Sequence, residues 1–390
     1  MVGYNEAIQS FRHLLQSQDT PMKDAAFSLL RDLTEAHGAP GHEDGPRAIF
    51  AREMAPLGTL TTDRLGSVLC ELSPGTKNTQ TQPRVMITAH LDEVGFMVHS
   101  ITESGFLTVV ALGGWWTHTL LAQRVRVRTR TGREHLGIIT STPPHFLSET
   151  EKNRVLTIEQ LYIDVGASSR RHAEESLGLS PGDVIVPDSR CTPLSDPDLL
   201  CAKAFDNRVG VAVTIAALQQ LAASSYPSPS QLLGVATVQE EIGCRGAETA
   251  AALARPDIAL VIEGTPADDT PGYPASARQA VLGKGPQIRV MDPTALMNPK
   301  LVRFVTDVAT EKSIPYQLAV RRSGGTDARA FTTSGLGVPS VVIGVPARYI
   351  HTHNAVIHLD DYLATVALVV EVARRLDNTT IAGFTSFLAP

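Results

Sequence analysis

Short, almost wholly apolar runs alternate with amphipathic stretches along most of this chain, and acidic or imidazole residues recur where the apolar runs stop. Residues 84–89 (RVMITA) form one such run and predict a buried strand ending in His90-Leu91-Asp92-Glu93. Residues 232–239 predict a second, which delivers Glu240 and Glu241 at its carboxyl end. Residues 258–262 predict a third, followed by Glu263-Gly264-Thr265, and residues 338–344 a fourth, followed by Arg348-Tyr349-Ile350-His351-Thr352-His353. Continuous apolar runs of this length suit strands covered on both faces. The segment 202–205 leads into Asp206-Asn207-Arg208, after which 209–221 predicts an amphipathic helix. Helical periodicity also covers 6–16, 24–36 and 46–54, and a further strand is predicted over 67–71.

Between about residues 94 and 186 the pattern changes. Short strands are predicted at 95–101, 106–110, 123–130, 135–140 and 161–165, with turn signals between them and one helix at 170–177. That spacing predicts a small β-barrel. From residue 202 the alternation of strands and helices returns and continues to residue 376. The fold class expected is therefore α/β, a sheet flanked by helices with an inserted β-barrel. Residues 1–91 and 195–390 make up the main domain, and 92–194 the insertion. His90 precedes the insertion and Asp206 follows it, so the barrel must leave and re-enter the main domain near one place. There is no internal repeat, and the loop-like stretches are 73–82 and 223–230.

Open α/β sheets place their sites past the carboxyl ends of the strands, which is where these residues fall. Two adjacent carboxylates at Glu240 and Glu241 repel each other and cost desolvation, so a strand mouth holds them only beside positive charge. The other acidic and imidazole groups at strand ends point to a metal as that charge, with one glutamate binding it and its neighbour free as a general base. In extended chain His90 and Asp92 point to the same side, so the carboxylate can orient the imidazole or bind beside it. Each residue alone has a plainer reading. Asp206 would serve as a helix N-cap, His90 as a satisfied histidine, Glu263 as an exposed turn residue, and the glutamate pair as a solvated helix start. Their shared placement favours a site.

Composition changes the picture little. With 390 residues, 43% of them hydrophobic and 19% charged, the chain has globular content sufficient for two domains. A net charge of −6 without a Lys/Arg cluster argues against nucleic acid as partner. No signal peptide is expected, and no apolar run is long enough to span a membrane. Cys70, Cys191, Cys201 and Cys244 show no CxxC spacing and read as free buried thiols of a reducing cytoplasm. Cys244 reads as structural although it lies near the glutamate pair.

The segments AHLDEVGFMV, GGWW, IDVGASS, AFDNRVG, TVQEEIGCRGA, EGTPADDTPG, GGTDARAF and RYIHTH follow one another in this order. Together they resemble the metallo-aminopeptidases that assemble as tetrahedral particles, a family that includes glutamyl aminopeptidases, deblocking aminopeptidases and proteins called "cellulase M". The resemblance runs from about residue 29 to 372. It implies two divalent metal ions per subunit, with His90, Asp206 and Glu263 holding one and Asp206, Glu241 and His351 the other. It further implies Glu240 as general base and Asp92 as the support of His90. Mixed histidine and carboxylate ligands suit zinc, cobalt or manganese; zinc or cobalt is expected. The substrates implied are peptides trimmed from their N-terminus, and the assembly implied is a dodecamer built from dimers that associate through the barrel. Two departures stand out. Many members carry Asp where this chain has Glu263, and the residues after His351 differ, which leaves His353 as a rival ligand.

Other segments are weaker. Ser323–Asp327 is a glycine-rich turn before a helix, open to a substrate-facing role or to plain capping. Gly113–Trp116 suits barrel packing better than an oligomer contact, and His145 reads as a loop residue. Competing functions are a dimetal carboxypeptidase or N-acyl amino-acid deacylase, a metal-independent glycosidase, and a metal-stabilised binding protein without catalysis. The full ligand set together with Glu240 favours the aminopeptidase.

Overall fold

The computed structural model describes residues 19–73, 82–224 and 228–388; the helix expected at 6–16, most of the loop expected at 73–82 and residues 225–227 of that expected at 223–230 lie outside them. Among the described residues two helices come first, α1 (Asp19–Glu35) and α2 (Asp44–Met54), followed by the strands β1 (Gly58–Thr62), β2 (Val68–Leu72) and β3 (Arg84–His90). Six strands then close into a barrel: β4 (Gly95–Ile101), β5 (Leu107–Leu112), β6 (Arg124–Arg128), β7 (Glu134–Thr140), β8 (Tyr162–Asp164) and β9 (Val184–Pro187). The chain returns through β10 (Thr192–Pro193) and β11 (Leu199–Ala202) into helix α3 (Phe205–Ala223). Next come β12 (Gln231–Thr237), α4 (Arg245–Ala254), β13 (Ile258–Pro266), β14 (Gln287–Asp292), β15 (Ala295–Leu296), α5 (Pro299–Glu311), β16 (Gln317–Val320), β17 (Ser340–Arg348), β18 (Ala355–His358) and α6 (Leu359–Ala373).

The large sheet runs β1-β2-β12-β3-β13-β17-β18-β11-β10, with β14 to β16 branching from β17. Its centre, β12-β3-β13-β17, is parallel. These strands are buried almost without interruption, which is why they read as unbroken apolar runs. Helix α3 packs along β3 and β13 and against α6. The sheet and its helices share one apolar core, and the barrel has its own around Phe96, Leu107, Val125, Val127 and Ile163. At roughly 25 cal/mol per Å² of apolar surface buried, each core has its own driving force for collapse.

Several boundaries differ from the sequence expectation. The third buried strand runs to Pro266, so Glu263 lies within it rather than past its end. The fourth begins at Ser340 and continues to Arg348. The helix expected at 170–177 contains a five-residue π-helical turn, His172–Ser176. The Trp pair divides. Trp115 stacks on Phe96 at 4.8 Å and its Nε1 donates to Gly95 O, while Trp116 stays 65% exposed. No helix among the described residues is long and apolar enough to cross a membrane.

The two crossings between sheet and barrel are fastened by a buried charge cluster. Glu93, just past β3, accepts from Lys203 Nζ at 2.5 and 2.6 Å and from Arg208 Nη2 at 3.2 Å. Arg208 also donates to Leu91 O, Leu33 O and Gly38 O. Two cations share one carboxylate here, and backbone carbonyls take up much of the remaining donor capacity, as burial of such charges requires. The cluster ties the end of β3 to the start of α3, and so sets His90 opposite Asp206.

Candidate metal centre

β3 ends at His90 and lies level with the end of β12, Thr237 opposite His90. Just beyond β12, Gln239 takes a left-handed backbone (φ 57°) and turns the chain, so Glu240 and Glu241 face the mouth of the sheet. Cys244 and His351 have the same conformation; such residues cost of order 1 kcal/mol or more each and cluster at functional sites. Glu263 lies on β13 opposite Gly344 of β17. Its neighbour Gly264 is required sterically, since a Cβ there would lie 2.6 Å from Phe205 O and 3.0 Å from Asp206 Cα. The glycine thus lets the Asp206 backbone approach the strand that carries Glu263.

Asp206 is not the N-cap of its helix. Its backbone is non-helical (φ −85°, ψ 104°), and its carboxylate is directed at two histidines. Oδ1 lies 3.3 Å from His90 Nε2 and Oδ2 lies 3.3 Å from His351 Nε2. Around His90 Nε2 stand Glu263 Oε2 at 3.7 Å and Glu240 Oε2 at 3.9 Å; beside His351 Nε2 stands Glu241 Oε2 at 3.4 Å. Each ring directs its other nitrogen to a backbone carbonyl. His90 Nδ1 donates to Asp92 O at 3.1 Å, and His351 Nδ1 to Gly114 O at 2.8 Å. That arrangement fixes the tautomer and leaves the Nε2 lone pairs aimed into the cluster.

The electrostatics of the cluster suit either protons or a bound cation. Burial, then the charges of Asp206 and Glu240, push Glu241 well above the usual carboxylate range; burial, then Asp206, Glu240 and Asp327, do the same to Glu263. Glu240 is pushed up to about 7 by burial and its acidic neighbours. Burial also opposes ionisation of Asp206, but hydrogen bonds from His351 and His90 outweigh it and hold that carboxyl well below its ordinary value. Burial opposes protonation of His351, yet Glu241 and Asp206 raise it to about 10. A proton and a metal ion compete for the same place. Glu241 Oε1 and Glu263 Oε1 are buried without hydrogen-bond partners, an arrangement that costs several kcal/mol for a bare carboxylate unless a cation is bound. His90, Asp206 and Glu263 form one group able to hold a metal, and Asp206, Glu241 and His351 another.

All the residues selected from the sequence therefore converge, apart from the rival. His353 is buried beside the Trp115 ring, 6.0 Å between centroids, and belongs to neither group. His145 is exposed. Four more residues reach the cluster, noted in the sequence but not assigned to the site. Gly114 belongs to a barrel loop that reaches back to His351, and at Gly113 a Cβ would meet Glu241 Oε2 at 3.1 Å. Asp327, in the glycine-rich turn, is wholly buried and accepts from Thr237 Oγ1 at 2.5 Å. Cys244 Sγ lies 3.4 Å from Glu240 Oε1. The clue available for Asp327 and Cys244 was that they lie within the motifs GGTDARAF and TVQEEIGCRGA.

Residues 70–368 match the family described as M42 glutamyl aminopeptidase. The glutamyl aminopeptidase of Lactococcus lactis subsp. cremoris (strain MG1363) is 32% identical over 363 residues, covering 93% of this chain and 99% of that protein. A TET aminopeptidase from the marine-sediment archaeon Thaumarchaeota archaeon SCGC AB-539-E09 superposes with a TM-score of 0.88 at 40% identity, over 93% of this chain and 99% of that one. The TET1 peptidase of Pyrococcus horikoshii, which can assemble into a tetrahedron or a large octahedral shell, gives 0.78 at 29% identity, over 90% and 100% of the two chains. With strand-end histidines and carboxylates converging as the motifs require, and with similarity spanning sheet and barrel alike, the chain belongs to the M42 glutamyl aminopeptidase family.

Proposed function

We propose that the cluster is a two-cation peptidase centre, in which His90, Asp206 and Glu263 hold one ion and Asp206, Glu241 and His351 the other. The observation that carries this reading is the division of Asp206, one carboxylate oxygen towards each histidine at the same 3.3 Å. A bridging carboxylate of this kind screens two cations from each other. The donor set of imidazole and carboxylate favours zinc or cobalt. When bound, such ions supply Lewis-acid activation of water and of a peptide carbonyl.

The chain's own groups perform the rest. Glu240 has no place in either ligand group, and its carboxylate stands at the edge of the cluster, where it takes the water's proton and passes it to the departing amine. Asp92 acts through others, orienting His90 and gripping the backbone of the glutamate pair. The substrate is a peptide with a free α-amino group, removed one residue at a time.

We also infer that the barrel, with the chain over 92–194, mediates self-association into a particle of about twelve subunits; the TET1 peptidase can assemble into a tetrahedron or a large octahedral shell. Val110, Trp116, Leu121, Leu136, Ile138 and Phe146 support this, large apolar side chains left exposed on barrel strands and loops. Four free cysteines suit a reducing cytoplasm.

The test is elemental analysis combined with chelation. Two ions per subunit, loss of aminoacyl-chromogenic hydrolysis with chelator, recovery with zinc or cobalt, and failure on N-acetylated analogues are expected. Full activity with one ion per subunit overturns the two-cation reading, and preference for the acetylated substrate favours the deacylase. Light scattering that finds a fully active monomer removes the assembly.

A further inference from the structure

Beside the two groups just described, Glu240, Cys244 and Asp327 bring one ligand atom each within 4.8 Å of one another. We propose that these three form a third cation site, selective for a soft divalent ion such as zinc or cadmium, whose occupation withdraws Glu240 from proton transfer and inhibits the enzyme. The inhibition rests on the reading of Glu240 as base; the binding does not.

The local fold brings two of the three ligands together. Gly243 N and Cys244 N both donate to Glu240 O, at 2.8 and 2.9 Å, so a tight turn folds the thiol back onto the glutamate side chain. The resulting Sγ to Oε1 distance is 3.4 Å. Tetrahedral zinc with Zn–S near 2.3 Å and Zn–O near 2.0 Å separates such atoms by about 3.5 Å. Asp327 closes the third side. It is wholly buried, and while Oδ2 is engaged by Thr237 Oγ1, Oδ1 has no hydrogen-bond partner. An orphaned carboxylate oxygen in such a place costs free energy unless a cation or proton meets it.

Charge points the same way. Asp206, Glu240, Glu241 and Glu263 have only His90 and His351 as ion-pair partners among the described residues, and Asp327 has none. Together with Asp92, six carboxylates would face two divalent ions. That leaves two negative charges, and ionising Cys244 would make three, of which a third divalent ion would offset two. Neither of the first two groups contains a thiol, so sulfur makes this one distinct: it favours zinc and cadmium over magnesium or manganese. On binding, the Cys244 S–H bond breaks, the proton goes to solvent and a sulfur–metal bond forms, while Glu240 and Asp327 each donate a carboxylate oxygen. Nothing is oxidised or reduced. With Glu240 bound to the ion, its lone pairs no longer accept the water's proton.

The test titrates cadmium into the enzyme holding its two ions, following the thiolate-to-cadmium charge-transfer band, cadmium per subunit and turnover together. The wild-type protein should gain one ion beyond two, show the band, and lose at least tenfold in activity as the band grows. Cys244→Ser and Cys244→Ala, each compared with its own metal-replete activity, should lack the band and need at least tenfold more cadmium for equal inhibition. Cadmium that merely replaces the first two ions meets no thiolate and gives no band. Absence of the band in wild type, or equal inhibition in the variants, overturns the proposal. A band and a third ion without inhibition keep the site but overturn the assignment of Glu240 as base.

Discussion

Asp92 holds Glu240 by the main chain: Asp92 Oδ1 accepts the Glu240 N–H at 3.0 Å, and Oδ2 accepts that of Glu241 at the same distance. The same carboxylate lies 3.5 Å from His90 Nδ1. One side chain thus sets the position of both glutamates and of a histidine across the strand gap. Groups that orient metal ligands are typically worth 10–100-fold in metal affinity or activity. Asp92→Ala should therefore lower both together by roughly that factor. Asp92→Asn, which can accept only one of the two N–H groups, should fall between. Metal affinity unchanged in Asp92→Ala would reject this positioning role.

Glu240→Gln keeps shape and removes proton acceptance. Turnover should fall by roughly 10²–10⁴-fold, the usual contribution of a general base, with metal content near two ions per subunit. Loss of a metal, with normal activity restored at high metal concentration, would make Glu240 a ligand and exchange the roles of the pair.

His351 and His353 are two residues apart, and their environments separate them. His351 Nε2 faces Asp206 and Glu241, whereas His353 lies against Trp115. His351→Ala should lose one ion per subunit or bind it far more weakly; His353→Ala should retain both. The opposite pattern in elemental analysis reassigns the ligand.

His37 gives the fold an acid-sensitive point. Its ring is buried with both nitrogens unpartnered, and burial, aided by Lys203, Arg126, Arg128 and Arg208, lowers its pKa from the usual 6.5 to about 2. The unfolded chain then binds a proton that the folded chain refuses. Stability is unaffected above about pH 6.5 and declines as pH falls below it, by about 2 kcal/mol at pH 5 from the linkage relation. A denaturation series between pH 7.5 and 5 should show this loss, and His37→Leu should reduce it. A variant with the wild-type pH slope would place the sensitivity elsewhere.

The sequence was sufficient for the parts of this protein that depend on local pattern. The parallel strands read correctly because burial on both faces forces apolar runs, and the gathering of carboxylates and histidines at their ends was visible because the mouths of such strands lie close together. Helix 209–221 and the barrel strand at 95–101 followed from periodicity. Only tertiary structure decided what depends on distant partners. Whether His351 or His353 enters the cluster is set by a barrel loop more than 230 positions earlier, through Gly114 O, and spacing along the strand carries no trace of that contact. That Asp206 faces both histidines depends on Gly264 admitting its backbone beside β13. Asp327 and Cys244 are ordinary turn residues until the fold buries them against Glu240, because desolvation and crowding of charge arise only when segments remote in the chain are packed together.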